Sequence, residues 1–554
     1  MQKTLKKYFP LFVLPTLAAF VISFLAPFFM GIYLSFTEFK VVNESEWVGF
    51  KNYIRIFTSD ETFLNSLWLT VKFTFVSVIT VNVIAFAVAL LMTRGLRGTN
   101  AFRTVFFMPN LIGGIVLGHI WSLIINGVLG YFGVDITYDP KYGFWGLVIL
   151  MNWQLIGYMM IIYIAGLQNI PDELSEAAAI DGATPWQTLT RITIPMVMPS
   201  VTICSFLTLT NSFKLFDQNL ALNGKSADTA LLALDIYKTF YDHTGLKLGQ
   251  WHGMAQAKAV IFFILVAVIA FYSAQGDPQQ GGGAMTGAKR IRQGLAYIIL
   301  VFLAFVFLAP IFIIVMNSFK GNFYISDAPF TLPRGETFAG FDNFVKGFTQ
   351  SDFMRSFGNS AFITVFAVAG IVLLTSMTAW YIVRVKNKLT SALYYLFIFS
   401  MIVPFQMVMY TMTYFAFELR LNNPIGIVFI YLGFGAGLSV FMFCGFIKSI
   451  PNEIEEAATI DGCSPLQTFF LIVFPILKPT AITVAILNAM WVWNDYLLPY
   501  LVLGSGSSKT LPVAVQMALT GGYGNKDMGA LMAMLVLSIL PIIIFYLSCQ
   551  KLYY

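Results

Sequence analysis

The sequence predicts an all-α polytopic membrane protein made of two parallel-related six-helix units. Three observations carry that expectation. The chain is 58% hydrophobic and only 11% charged, whereas soluble proteins carry roughly a quarter charged residues. Twelve apolar runs are each long enough to cross a bilayer as a helix, which takes about 20 residues. A polar stretch, IPDELSEAAAIDGATPWQTLTRITIP at Ile170–Pro195, returns without a gap as IPNEIEEAATIDGCSPLQTFFLIVFP at Ile450–Pro475.

The runs of the first half lie near Leu11–Phe36, Val71–Met92, Thr104–Ile125, Phe144–Leu167, Pro195–Phe216 and Ala255–Ser273. Those of the second lie near Leu295–Phe319, Ser360–Val383, Leu393–Phe417, Ile425–Ile447, Pro475–Leu497 and Met528–Leu547. Lys and Arg in short loops mark the cytoplasmic side. Lys3, Lys6 and Lys7 precede the first run, and Arg94, Arg97 and Arg103 join the second to the third. Lys289, Arg290 and Arg292 open the second half, and Arg384, Lys386 and Lys388 follow its second run. Both termini, and both copies of the polar stretch, are therefore expected in the cytoplasm. The first run is too long for a cleavable signal and has no clear cleavage site.

The polar stretch reads as a short helix, a tight turn and another short helix. Pro171 suits a helix start because its missing N–H needs no partner there. Asp172, Glu173 and Glu176 favour the positive end of the helix dipole, and Ala177, Ala178 and Ala179 favour helix. Asp181-Gly182 ends it, with Gly182 free to adopt positive φ. Glu456, Ala457, Ala458, Asp461 and Gly462 repeat the pattern. An amphipathic helix resting on lipid is the plain alternative, but it leaves the recurrence unexplained.

The repeat extends further. VGFKNYIRIF at Val48–Phe57 answers AGFDNFVKGF at Ala339–Phe348, Asn65-Ser66 answers Asn359-Ser360, and Pro109 answers Pro404. An even number of spans per half makes the repeats parallel, with a pathway between them. The expected division is 1–274, a Gly-rich cytoplasmic linker at 275–290, and 291–554. Met285 stands where a second polypeptide could start, so the joined halves are either a natural fusion or two chains linked artificially.

Other chemistry finds little footing. Four cysteines have no C-x-x-C spacing. The three histidines, His119, His243 and His252, do not cluster with ligands at metal spacing; His119 reads as a packing or hydrogen-bonding residue. GSGSSKT at Gly504–Thr510 lacks the phosphate-loop spacing and reads as a flexible loop. No nucleophile–base pattern stands out, so the chain is not expected to be an enzyme. Lys72 and Lys258 fall near span ends, where they can snorkel.

The E-A-A-x-x-D-G pattern followed by I-x-x-P resembles the EAA loop of ABC importer membrane subunits. The first half is similar to MalF-type sugar permeases in YIAGLQNIPDELSEAAAIDGATPWQ and NSFKLFD. The second resembles MalG-type permeases in SIPNEIEEAATIDGCSPLQ, WVWNDYLLPYLVL and GGYGNKDMGALMA. Without a large insertion, the first half is closer to the compact raffinose, multiple-sugar and glycerol-phosphate permeases.

The resemblance implies two type I importer permease units in a bacterial or archaeal cytoplasmic membrane. Glu176, Ala177, Ala178, Asp181 and Gly182, with Glu456, Ala457, Ala458, Asp461 and Gly462, would couple to a cytoplasmic ABC ATPase dimer. ATP and Mg would be held on those partner subunits, with no cofactor on this chain. An extracytoplasmic solute-binding protein would deliver a sugar, a polyol or a glycerol phosphate. Lipid would surround the chain, and no nucleic acid is expected. By the same resemblance the sugar path would include Asn152, Gln154, Tyr158, Tyr163, Asn211 and Phe213. Trp491, Asn494 and Asp495 invite a gate or pathway reading, against an aromatic belt at the interface. The competing reading is an ion-coupled secondary transporter or channel, which would place ionisable residues inside spans.

Overall fold

The computed structural model describes residues 5–94, 96, 98–136, 139–223, 226, 228–241, 250–273, 290–350, 352–520 and 527–550. The linker before Arg290, with Met285, lies outside them, as do Arg97 and His243. Among the described residues, nine helices are long and apolar enough to cross a membrane. Up to twelve spans result if three sharply bent pairs each count as one.

The bends have chemical causes. Each fifth span breaks into two pieces: Pro185–Met196 meets Met198–Phe213 at 68°, and Pro465–Ile476 meets Lys478–Asn494 at 76°. Pro199 and Pro479 stand in the first turn after each break, where a missing N–H is tolerated but an unbroken helix is not. In the second half the third span also breaks, at Val403-Pro404, where Lys388–Ile402 and Phe405–Glu418 meet at 107°. Its counterpart bends through a tight turn at Met108–Leu111, which contains Pro109.

The halves exchange their opening helices. Leu14–Ser35 packs on the second half: Thr16 Oγ1 donates to Leu374 O at 3.1 Å, and Thr378 Oγ1 to Phe12 O at 2.8 Å. Gly433 lies against the Ala19 carbonyl, leaving no room for a Cβ. In return, Arg290–Ser318 packs on the first half. Trp153 Nε1 donates to Phe307 O at 3.2 Å, and the Phe106 and Phe307 rings are 4.8 Å apart.

Between the fifth and sixth spans each half folds back through two short helices that the hydropathy reading did not single out. They are Asp217–Asn223 and Leu232–Tyr241, then Leu497–Leu503 and Leu511–Thr520. Their anchors correct the repeat register. Leu232 N donates to Thr70 Oγ1 and Leu511 N to Ser360 Oγ, both at 2.8 Å. Thr70 therefore answers Ser360, and Ser66 answers Ser356. The expected Asn65-Ser66 pairing with Asn359-Ser360 is off by one helical turn, an error that leaves the apolar face unchanged.

Lys258 does not snorkel. It is 1% exposed, with Nζ 2.6 Å from Asp60 Oδ2, 2.8 Å from Asp235 Oδ2 and 2.9 Å from Thr239 Oγ1. The cluster ties the sixth span to the start of the second and to the 232–241 helix. Burial alone would raise the Asp60 carboxyl. The Lys258 charge, with hydrogen bonds from Lys258, Thr62 and Phe63, outweighs burial and holds it below the ordinary carboxylate range. A depressed carboxyl contributes stability above its unfolded value, and that contribution fades as pH falls through the folded one. The second half has a comparable clasp, with Lys509 Nζ 3.1 Å from Asp352 Oδ2. Asn359 Nδ2 also donates to the Ser507 and Lys509 carbonyls. The Gly504–Thr510 segment is thus clasped rather than loose.

Lys258→Met strands two buried carboxylates and is expected to destabilise the fold by about 3–5 kcal/mol. Thermal unfolding in detergent reads this out, and adding Asp60→Asn and Asp235→Asn should recover part of the loss. An unchanged melting temperature for Lys258→Met would remove the cluster from any supporting role.

Candidate functional site

The polar repeats form two near-identical loops. The first helix spans Asp172–Ile180 and the second Asn452–Ile460. Pro171 and Pro451 occupy the capping position, one residue before the helical start, with extended ψ of 134° and 136°. Each helix ends in a Schellman pair of bonds. Ala183 N donates to Ala178 O at 2.9 Å and Gly182 N to Ala179 O at 3.2 Å; Cys463 and Gly462 do the same to Ala458 and Thr459, at 3.0 and 3.2 Å. Gly182 has φ +77° and Gly462 φ +85°, a region costly for any residue with a Cβ. The next short helix opens with a capping box, Thr184 with Gln187 and Ser464 with Gln467.

One face of each helix is turned inward at Ala178 and Ala458. Glu176, Ala177 and Asp181, with Glu456, Ala457 and Asp461, are exposed. Ile180 and Ile460 are each 85% exposed at matching positions. A large aliphatic residue held in the open at the end of two equivalent helices is suited to a partner's pocket.

Glu455, which the sequence reading passed over, fixes the second loop. Its carboxylate is 1% exposed and accepts from Arg384 Nη2 at 2.7 Å, Arg384 Nε at 3.0 Å and Trp380 Nε1 at 3.0 Å. Arg384 Nη2 also donates to Ile450 O at 3.0 Å. The clue was available: Trp380 and Arg384 lie four apart on one helix face, opposite a doubled Glu455-Glu456. A cleft of about 820 Å³ opens beside the loop, lined by Arg384, Lys386, Lys448, Glu453 and Glu456 among others.

A separate cavity of about 540 Å³ lies between the halves. Its wall takes Gln154, Tyr158, Asn211, Lys214, Asp217 and Gln218 from the first half. Gln406, Trp491 and Asp495 come from the second. Gln154 Oε1 accepts from Gln218 Nε2 at 2.8 Å, and Lys214 Nζ donates across the interface to Met401 O at 3.1 Å. Asp495 accepts from Tyr431 Oη at 2.9 Å and from the backbone N–H groups of Leu497 and Leu498. Trp491 packs edge-to-face on Tyr431, with ring centroids 5.3 Å apart. The combination of one aromatic face with convergent amides and carboxylates suits a polyhydroxylated ligand.

Of the residues expected along the path, Gln154, Tyr158, Asn211, Trp491 and Asp495 meet on this wall. The rest are placed elsewhere. Asn152 Nδ2 donates to Thr80 Oγ1 and Val148 O. Tyr163 is buried and donates to Asn82 Oδ1 at 2.7 Å. Phe213 stacks on Phe262 at 5.7 Å. Asn494 Nδ2 donates to Leu111 O across the interface at 2.8 Å. Each is an interhelical contact of the kind that joins spans. Sequence spacing did not distinguish the two groups, because both faces of a buried helix carry polar residues. Lys214, Asp217, Gln218 and Gln406 were not expected on the wall. His119 pairs with Gln516 Oε1 at 2.8 Å, joining the halves rather than facing a ligand.

Comparison with known proteins agrees with this duplication. A permease protein of Thermoanaerobacterium thermosulfurigenes, AmyD, named for a probable starch degradation products transport system, is 41% identical over 271 residues. The match covers 47% of this chain and 90% of that protein. AmyC of the same organism and system is 37% identical over 251 residues, covering 45% and 90%. MsmG of Streptococcus mutans, from a multiple sugar-binding transport system, is 35% identical over 271 residues, covering 48% and 96%. Each relative is thus matched almost whole by less than half of this chain. The profile of the family described as binding-protein-dependent transport system inner membrane component matches twice, over residues 81–278 and 371–553. The chain belongs to that family of membrane permeases and carries two of its units.

Proposed function

We propose that the chain is the permease pair of a sugar importer, driven by ATPase subunits docked on its two polar loops. The observation that carries the sugar reading is the interhalf cavity. Its aromatic and amide wall supports a carbohydrate reading, as do relatives named for starch degradation products and for multiple sugars. Support for the ATPase reading comes from the loops: the same cap, the same positive-φ glycine and the same exposed Ile occur once per half. A cytoplasmic ATPase dimer would grip both, with ATP and Mg on its own subunits. A solute-binding protein on the other face would supply the sugar, and both termini would lie in the cytoplasm. Transport is then a two-state equilibrium, biased by partners that bind one state better than the other.

Reconstitution tests this directly. Uptake should require ATP, the ATPase and a binding protein. Ion-gradient-driven uptake by the chain alone would instead establish the secondary-transporter reading.

Two variants probe the parts. Gly462→Val forces a β-branched residue into the left-handed region, at about 1–2 kcal/mol or more. Membrane insertion and amount should be normal, while copurified ATPase or sugar-stimulated hydrolysis falls several-fold, and Gly182→Val should behave alike. Full coupling in the double variant would leave only a helix lying on lipid. At the cavity, Gln154→Ala with Tyr158→Ala removes two polar groups, each worth about 0.5–1.5 kcal/mol. Sugar-dependent uptake should weaken about tenfold while ATPase assembly is kept; unchanged sugar dependence removes both residues from the site.

A further inference from the structure

The third span of each half breaks beside a proline, and the two breaks are finished differently. In the first half the helix that follows, Gly114–Leu129, starts against Asp217 and Gln218. A Cβ on Gly114 would lie 2.6 Å from Asp217 Cβ and 2.9 Å from Gln218 Oε1. In the second half the gapless register of the repeat puts Leu497 and Leu498 at those two positions, and a leucine side chain has no acceptor to offer. The helix Phe405–Glu418 starts without one: its capping residue is Pro404, with no side-chain cap. Among the described residues the N–H groups of Phe405 and Gln406 have no hydrogen-bond partner. On the other side of the same break, Met401 O is already met by Lys214 Nζ at 3.1 Å. Gln406 adds further unmet groups. It is 3% exposed, lines the cavity between the halves, and its amide makes no hydrogen bond among the described residues. Phe405 and Val408 line the same cavity, so this helix start opens on it. A buried amide or N–H without a partner is costly unless a ligand or water completes it.

We infer that the Pro404 break is a sugar-binding element, in which the Gln406 amide and the free N–H groups of Phe405 and Gln406 donate to hydroxyl oxygens of the sugar. This rests on the cavity being the sugar site. The groups match in kind. Backbone N–H groups and a side-chain amide donate, and a hydroxyl oxygen accepts on two lone pairs. The 405–418 helix also turns the positive end of its dipole toward those oxygens. The first half offers a complementary edge. Gln154 Oε1 accepts from Gln218 Nε2, which leaves Gln154 Nε2 as a donor and Gln218 Oε1 as an acceptor on the same cavity. A sugar between the two edges completes groups that neither half completes for itself, and it bridges the halves. A site built to hydrogen-bond hydroxyls also rejects a solute that lacks them, because its polar groups then stay unmet.

Saturation-transfer NMR on the full chain in nanodiscs tests the inference, with maltotriose and raffinose as probes and thermal unfolding measured alongside. Gln406→Met keeps the length of the side chain and removes its amide. It should weaken binding of the tighter probe about three- to tenfold. The melting temperature should stay the same or rise, because an unpartnered buried amide costs the fold rather than supporting it. A fall in melting temperature together with the loss of binding overturns the inference, since the amide then holds the fold and not a ligand. Unchanged binding by Gln406→Met overturns it as well, and Trp491→Ala, on the same wall, then shows what else fails. If Trp491→Ala weakens binding, the cavity remains the sugar site and only the contact at the Pro404 break is lost. If neither variant changes binding, the cavity is not the sugar site. Failure of the wild type to bind either probe overturns the sugar reading and this inference with it.

Discussion

Each half of the chain is completed by a helix of the other, and most of what the molecule can do depends on that exchange. Lipid tails are as apolar as leucine, so spans are not driven together by water; they associate through close packing and through polar contacts. Both appear at the exchanged helices. Threonines 16, 378 and 411 donate to backbone carbonyls of the opposite half, and Gly433 admits the Ala19 backbone. Neither half has a closed surface without the other. A movement of one core therefore carries a helix of its partner with it.

The second polar loop is wired into the same contacts. Glu455 holds Trp380 and Arg384 at the end of the second span. The Trp380 ring packs 5.2 Å from Phe12, which lies just before the exchanged helix. Phe469, just past the loop, touches both rings, at 5.5 and 5.8 Å. A push on the loop thus meets a buried ion pair, then an aromatic cluster, then the other half. Such a contiguous, well-packed path transmits displacement because packed interiors yield little. The buried ion pair need not add stability to do this; its geometry fixes where the loop can stand.

Much of this was legible in the sequence, for identifiable reasons. Hydropathy is a local property, so all twelve apolar runs correspond to helices, bent pairs included. Gly182 and Gly462 were legible because only a few backbone positions demand positive φ, and an acidic-Ala-Ala helix running into Asp-Gly is one of them. The helix exchange was not, since nothing local says which half a span will pack against. Lys258 was misread for a related reason. A lysine near a span end looks the same whether it reaches water or meets Asp60 and Asp235, which lie 198 and 23 residues away in the chain. The register slip at Asn65-Ser66 came from matching letters, whereas Thr70 and Ser360 are equivalent through what they hold. On the cavity wall, Gln154 and Trp491 could be guessed from residue type. Asp217 could not, because an ionisable residue just past an apolar run looks the same whether it meets water or a cavity.

The prolines connect the fold to the cavity. Pro109 and Pro404 answer each other in the repeat, and both stand at breaks beside the cavity, with Asn110 on one side and Val403 and Phe405 on the other. Asp217 and Asp495 likewise stand where the fifth spans end and short helices begin. A continuous helix satisfies its own backbone and has little to offer a polar ligand in the membrane; irregular backbone is tolerated there only where protein or a water-filled cavity surrounds it. Ending helices at one level in both halves gathers the unsatisfied backbone, the capping carboxylates and the freed side chains into one place. The same breaks are the points at which a span can bend. The residues that would touch a sugar therefore lie on the joints that would move as the pathway turns, so occupancy of the cavity and the conformation of the halves cannot vary independently.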